Sequence, residues 1–113
     1  MKDYTVKHSE DRVLTFKGEL LGSAADRPMG CQGRTKWNEI DIYRTERGTY
    51  VVVMSKQSLW QGEEKAFSCE SPQEVLAVLE THSRGQEEDN FENAAEMALR
   101  EAAGKDEGLS AFL

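Results

Sequence analysis

The chain has 113 residues, 38% of them hydrophobic and 31% charged, with a formal net charge of −7. This is the length of one domain with material for one modest core, so residues 1–113 are read as a single α+β unit and a second domain is not expected. No apolar run approaches the roughly 20 residues of a membrane helix, and the opening Met-Lys-Asp-Tyr-Thr-Val lacks a signal-peptide core. A membrane partner is therefore not expected, and the cytoplasm is the expected location.

The charge is unevenly placed. Residues 1–56 carry 10 Lys/Arg against 8 Asp/Glu, whereas residues 57–113 carry 4 against 13. Phosphates would be repelled by the second half, which argues against direct nucleic-acid binding and for a protein partner with a basic surface.

The first strand is read from the alternation of Asp3-Tyr-Thr-Val-Lys-His8, followed by a polar turn at Glu10-Asp11. A second runs over Arg12–Leu21 with Leu14 and Phe16 on one face, and Gly18 inside it predicts a bend. Residues 22–36 hold three glycines, one proline and three basic residues and read as a long loop, either a contact site or merely flexible. Within it Gly30-Cys-Gln-Gly33 has the form of an RNA-backbone clamp, but it precedes a strand instead of joining two helices, so it is set aside.

Trp37–Met54 is the clearest passage. Two alternating runs rich in β-branched and aromatic residues flank a polar turn ending in Gly48, which is free to take the left-handed conformation that a hairpin with a G1 bulge needs. With Thr45 opposite Thr49, Ile42 pairs with Val52 and Ile40 with Met54 on the core face, while Tyr43 meets Val51 and Asp41 meets Val53 on the other. That second face, bearing Trp37, Glu39, Asp41, Tyr43, Val51 and Val53, mixes aromatics with acids and is the candidate protein-binding surface.

A polar link with Leu59 and Trp60, the latter read as an anchor, leads to a last strand over Glu63–Cys69. Ser71-Pro-Gln-Glu74 then opens a helix with a serine N-cap, proline at the first position and glutamate three residues on. Val75, Leu76 and Leu79 fall at helical spacing, and the helix is predicted to end near Ser83. After the acidic connector Gln86-Glu-Glu-Asp-Asn90, Asp89 and Glu92 offer a second capping box for a helix from about Asn90 to Ala103 whose inner stripe is Phe91, Ala94, Ala95, Ala98, Leu99 and Ala102. Gly104 ends it, and the apolar residues of Gly108–Leu113 predict a tail that docks.

No catalytic residue, metal set or cofactor motif is found, and the chain is read as a non-enzyme. Cys31 and Cys69 match no zinc or redox spacing and are expected to be free thiols; His8 and His82 are isolated. Glu39 and Asp41 share a strand face, but solvated acid pairs are far commoner on strands than catalytic ones.

Phe16-Lys-Gly18, followed by Tyr43-Arg-Thr45, Gly48 and Tyr50-Val-Val52, then a strand, a helix started by Ser71 and another helix, resembles the small bacterial EXLDI proteins. The likeness covers about residues 16–80 in order of elements. The chain departs from the family in ending Ser110-Ala-Phe-Leu113, without the acidic-leucine ending, and in lacking an amino-terminal helical segment. The resemblance implies a prokaryotic or phage origin and carries over no functional residue.

The architecture expected is an antiparallel β-meander of about five strands with two C-terminal helices on one face. The function expected is a protein-interaction module. The alternative is an acidic inhibitor that blocks a nucleic-acid-binding complex, of the anti-CRISPR or DNA-mimic kind, through Glu87, Glu88, Asp89, Glu92 and Glu96.

Overall fold

A computed structural model describes residues 2–9, 12–26, 36–58, 63–83 and 91–111, with side chains except at 7–9, 12, 13, 26, 36, 37, 56–58 and 63. Its elements are β1 (Lys2–Ser9), β2 (Arg12–Asp26), β3 (Lys36–Thr45), β4 (Tyr50–Ser58), β5 (Glu63–Cys69), α1 (Pro72–His82), α2 (Glu92–Ala103) and a short α3 (Glu107–Ser110). The strands form one antiparallel sheet in sequence order, followed by the C-terminal helices. α1 lies over β4 and β5, α2 over β2 and β3.

The central hairpin has the expected register, with Ile40 opposite Met54, Asp41 opposite Val53, Ile42 opposite Val52 and Tyr43 opposite Val51. Its turn closes through the Thr45 N–H donating to the Thr49 carbonyl at 2.8 Å, and Gly48 takes φ 86° in the left-handed region. On the helix side Ile40, Ile42, Val52 and Met54 pack with Val75, Leu79, Ala94, Ala98 and Ala102.

β2 differs from expectation in two ways, and both have one cause. It does not bend at Gly18 and does not end at Leu21; the register shift falls between Leu20 and Gly22, and pairing with β3 continues to Asp26. Leu21 is the extra residue, fully buried on the helix side. Beyond it Gly22 and Ala24 face α2, and they are small because α2 rests on them: a Cβ on Gly22 would lie 2.2 Å from the Ala98 carbonyl oxygen, while Ser23 and Ala25 turn to the other face. What resembled loop composition is the sheet's half of a close helix contact, whose other half is the alanine stripe of α2. Gly18 serves a different approach, since a Cβ there would lie 2.2 Å from the Arg44 carbonyl oxygen. Residues 27–35 of the expected loop lie outside the described residues, as does Trp60.

The bulge also curls the sheet. β1 and the first half of β2 swing round until β1 packs against β5, with no ladder joining them. The face that the sequence left half open is thereby closed: Tyr43, Val51 and Val53 are only 8%, 2% and 1% exposed and pack with Val6 and Ala66, with Tyr4, Leu14 and Phe16 around them. Tyr43 sits among rings, 4.6 Å from Tyr4 and 5.3 Å from Phe16 between centroids.

Ser71 caps α1 as expected, accepting from the Glu74 N–H at 3.3 Å, while the Glu74 carboxylate accepts from the Glu70 N–H at 2.6 Å. α2 begins at Glu92 instead of near Asn90, with Phe91 as N-cap and no side-chain cap from it; Asp89, the other member of the expected capping box, lies outside the described residues. Phe91 is buried and its N–H donates to the Ser83 carbonyl at 2.7 Å, so the end of α1 holds the start of α2. Cys69 is a free buried thiol, pushed up to about 11 by burial and the nearby Glu74 charge; Cys31 is outside the described residues.

Part of the tail docks, through a third helix that the sequence did not announce, while Phe112 and Leu113 lie outside the described residues. Leu109 is fully buried, and Asp106, 5% exposed, caps α3 at the Gly108 and Leu109 N–H groups. The same carboxylate accepts from the Tyr50 hydroxyl at 3.0 Å and from Arg44 at 3.1 Å, and Arg44 also binds Glu19.

Gly22→Ala is expected to lower stability by about 1–3 kcal/mol in urea unfolding, because α2 must lift from β2. Asp106→Ala should remove about 2–3 kcal/mol and Tyr50→Phe about 1 kcal/mol, with the double variant losing less than the two together, since the Tyr50 bond is already absent without Asp106.

Candidate functional site

The sequence placed two sets of residues as candidates, and the fold separates them. Of the strand set, Tyr43, Val51 and Val53 belong to the second core and present no open surface. The curl is the physical reason: an apolar row on a sheet that bends over itself is satisfied internally. Trp37 stands opposite Gln57 in the β3–β4 ladder, and its side chain is outside those described.

Glu39 and Asp41 are half-buried at the polar end of this inner face. Asp41 pairs across β2 with Ser23, whose hydroxyl donates to the carboxylate, and Glu39 pairs with Ala25. Burial, and to a lesser extent the charge of Glu64 on β5, push the Asp41 carboxyl above its ordinary range, while hydrogen bonds to Ser23 and Glu39 pull part of the way back. Burial, followed by the Asp41 charge, pushes the Tyr43 phenol up, so it stays a neutral donor. Among the described residues no three His, Cys, Asp or Glu side chains come together in a metal-binding arrangement.

Of the acidic set, Glu92 and Glu96 lie on the helix side of the sheet. Glu92 and Glu96 are exposed on α2, one turn apart; Glu87, Glu88 and Asp89 lie outside the described residues. Between α1 and α2 runs an open groove of about 290 Å3, lined by Leu79, Glu80 and Ser83 from α1 and by Glu92, Ala95, Glu96 and Leu99 from α2. Leu79, Ala95 and Leu99 make its apolar lining, and the three exposed glutamates stand beside it. Glu96 binds Arg100 of the next turn at 2.7 Å, a solvated pair of small energy.

No family model, curated protein or solved structure matches this chain.

Sequence reasoning missed the Arg44–Asp106–Tyr50 cluster and the part played by Glu80. For Asp106 a signal was available, since Asp106-Glu-Gly-Leu109 places an N-cap residue three positions before a large apolar one. Glu80 had none, because its position beside Glu92 and Glu96 depends on how two helices lie on the sheet.

The Asp41 shift has a definite sign. A carboxyl whose folded pKa is raised binds its proton more readily in the native state, so its contribution to stability is full below the ordinary value of 3.8 and is lost as pH rises through the raised one. Asp41→Asn keeps a group that can accept from Ser23 without the charge. Urea midpoints should match wild type near about pH 3 and exceed it near about pH 7.

Proposed function

We propose that this chain is a non-enzymatic interaction module whose contact surface is the acidic helical layer and whose partner is a protein segment with a basic surface. The observation that carries this reading is the α1–α2 groove, where an apolar lining is accompanied by Glu80, Glu92 and Glu96 in the half of the chain that holds 13 acidic against 4 basic residues. A surface of this kind attracts and orients a cationic partner at long range and gives it apolar contact at short range. The closed inner face of the sheet supports the same choice, since its aromatic residues are committed to the second core. The resemblance to EXLDI proteins favours a prokaryotic or phage setting.

The triple variant Glu80→Lys/Glu92→Lys/Glu96→Lys changes only exposed positions and should fold like wild type. With about 1 kcal/mol for each rim charge, it should bind the partner captured by the wild-type protein about 100-fold more weakly. Unchanged capture would refute the surface. An inhibitor of nucleic-acid-binding complexes, the other function open to so acidic a chain, would show itself differently. Its partner would be displaced by duplex DNA, binding would fall steeply with salt, and charge reversal at Glu87, Glu88 and Asp89 would abolish it.

A further inference from the structure

We propose that β1 is a strap that zips onto β5 and turns the curled five-stranded sheet into a closed barrel. The two strands are the edges of the sheet, and the curl lays one beside the other with no ladder between them. Four antiparallel steps separate them, so they run parallel. Some of their Cα atoms come within 8 Å of each other, whereas a further strand between them needs about 9.6 Å, twice the usual spacing of about 4.8 Å. The seam therefore has room for its own two edges to meet and none for an added strand.

The edges present matching backbone groups. In the central hairpin the Thr45 N–H donates to the Thr49 carbonyl, and ladder bonds alternate from there, so Tyr43 and Asp41 bond to Val51 and Val53. Val52 and Met54 then turn to Phe67 and Lys65, which leaves the N–H and C=O of Glu64, Ala66 and Ser68 pointing out of the ladder toward β1. At the other edge the Glu46 N–H donates to the Lys17 carbonyl, so Lys17 turns to β3 while Phe16 and Leu14 bond to Tyr4 and Val6. The backbone groups of Asp3, Thr5 and Lys7 are left pointing toward β5.

Burial and side-chain direction both favour closure. Ala66 and Val6 are 1% and 6% exposed and belong to the same inner core, so the edge groups of Ala66 are out of water, where backbone donors and acceptors need partners. With Val6 beside Ala66, every inward side chain of β1 stays inward. The parallel pattern then pairs the Ala66 N–H with the Thr5 carbonyl, the Ser68 N–H with the Lys7 carbonyl and the Thr5 N–H with the Glu64 carbonyl. The arm formed by β1 and the first half of β2 has its pivot in place, because the Leu21 bulge already redirects β2. Closing removes both edges of the sheet, the places where a foreign strand would add.

The test is NMR on the isotope-labelled full chain. Couplings transmitted through hydrogen bonds should join the Ala66 amide to the Thr5 carbonyl and the Ser68 amide to the Lys7 carbonyl, alongside those of the established ladders. Thr5 is exposed, so slow exchange of its amide with deuterium requires the seam bond. Thr5→Pro removes that N–H and spares the β1–β2 ladder, since Thr5 faces Thr15 in a pair that shares no backbone bond. This variant should speed exchange at Ala66 and Ser68 about tenfold or more while leaving Phe67 unchanged. Thr5→Val keeps the N–H, loses only the hydroxyl contact with Thr15, and should exchange like wild type. Seam couplings absent where ladder couplings are seen, a Thr5 amide that exchanges as fast as an unbonded one, or equal exchange at Ala66 and Ser68 in the two variants would overturn the strap. If Thr5→Pro does not fold, the couplings and the Thr5 amide of the wild-type chain decide alone.

Discussion

The β3–β4 ladder has to be dry on both faces, and the rest of the molecule follows from that demand. Tyr50 to Met54 are five consecutive buried residues, so side chains of β4 enter apolar surroundings alternately above and below the sheet. Two helices can cover only one side. The other is covered by the sheet itself, which becomes possible because the Leu21 bulge redirects β2 and brings β1 round to β5. A chain of modest apolar content thus builds two small cores from one ribbon, and its polar residues are left for the outer surface of the helices.

The two cores are made differently. The helix-side core depends on close approach, with alanines of α2 against Gly22 and Ala24, and gains its density from small residues and short distances. The inner core depends on ring contacts among Tyr4, Phe16 and Tyr43. Each arrangement leaves a boundary where packing stops. For the inner core the boundary is the polar Ser23–Asp41–Glu39 end; for the helix layer it is the gap between α1 and α2.

How much of this was legible in the residues depended on the range of the interaction. The hairpin pairing, the Gly48 conformation and the Ser71 cap are local and were readable because each is decided within a few positions. The burial of Tyr43, Val51 and Val53 was misjudged on the strength of alternation in β3, although the unbroken run Tyr50-Val-Val-Val-Met54 carried the opposite message: an apolar stretch without alternation fits a strand enclosed on both sides. Gly22 and Ala24 have the composition of a loop because small residues are common to loops and to tight helix–sheet contacts, and only the tertiary partner distinguishes the two. On the acidic side, Glu92 and Glu96 were named from charge alone, while Glu80 became their neighbour only through the placement of α1 beside α2.

The carboxylate of Asp106 joins parts of the chain that are remote in sequence, reaching Tyr50 across 56 positions and Arg44 across 62. Closures of that span come late in folding, since a long loop must be drawn in before the bonds that reward it can form. The consequence is a coupling of order: Asp106 at the start of α3 finds its donors, Tyr50 and Arg44, only after the hairpin is complete, and the Tyr50 hydroxyl at the turn end of the hairpin gains its carboxylate acceptor only when α3 arrives. Tail and ribbon are thereby bound into one cooperative transition, so that fraying, the ordinary fate of a terminus, is raised in free energy toward global unfolding.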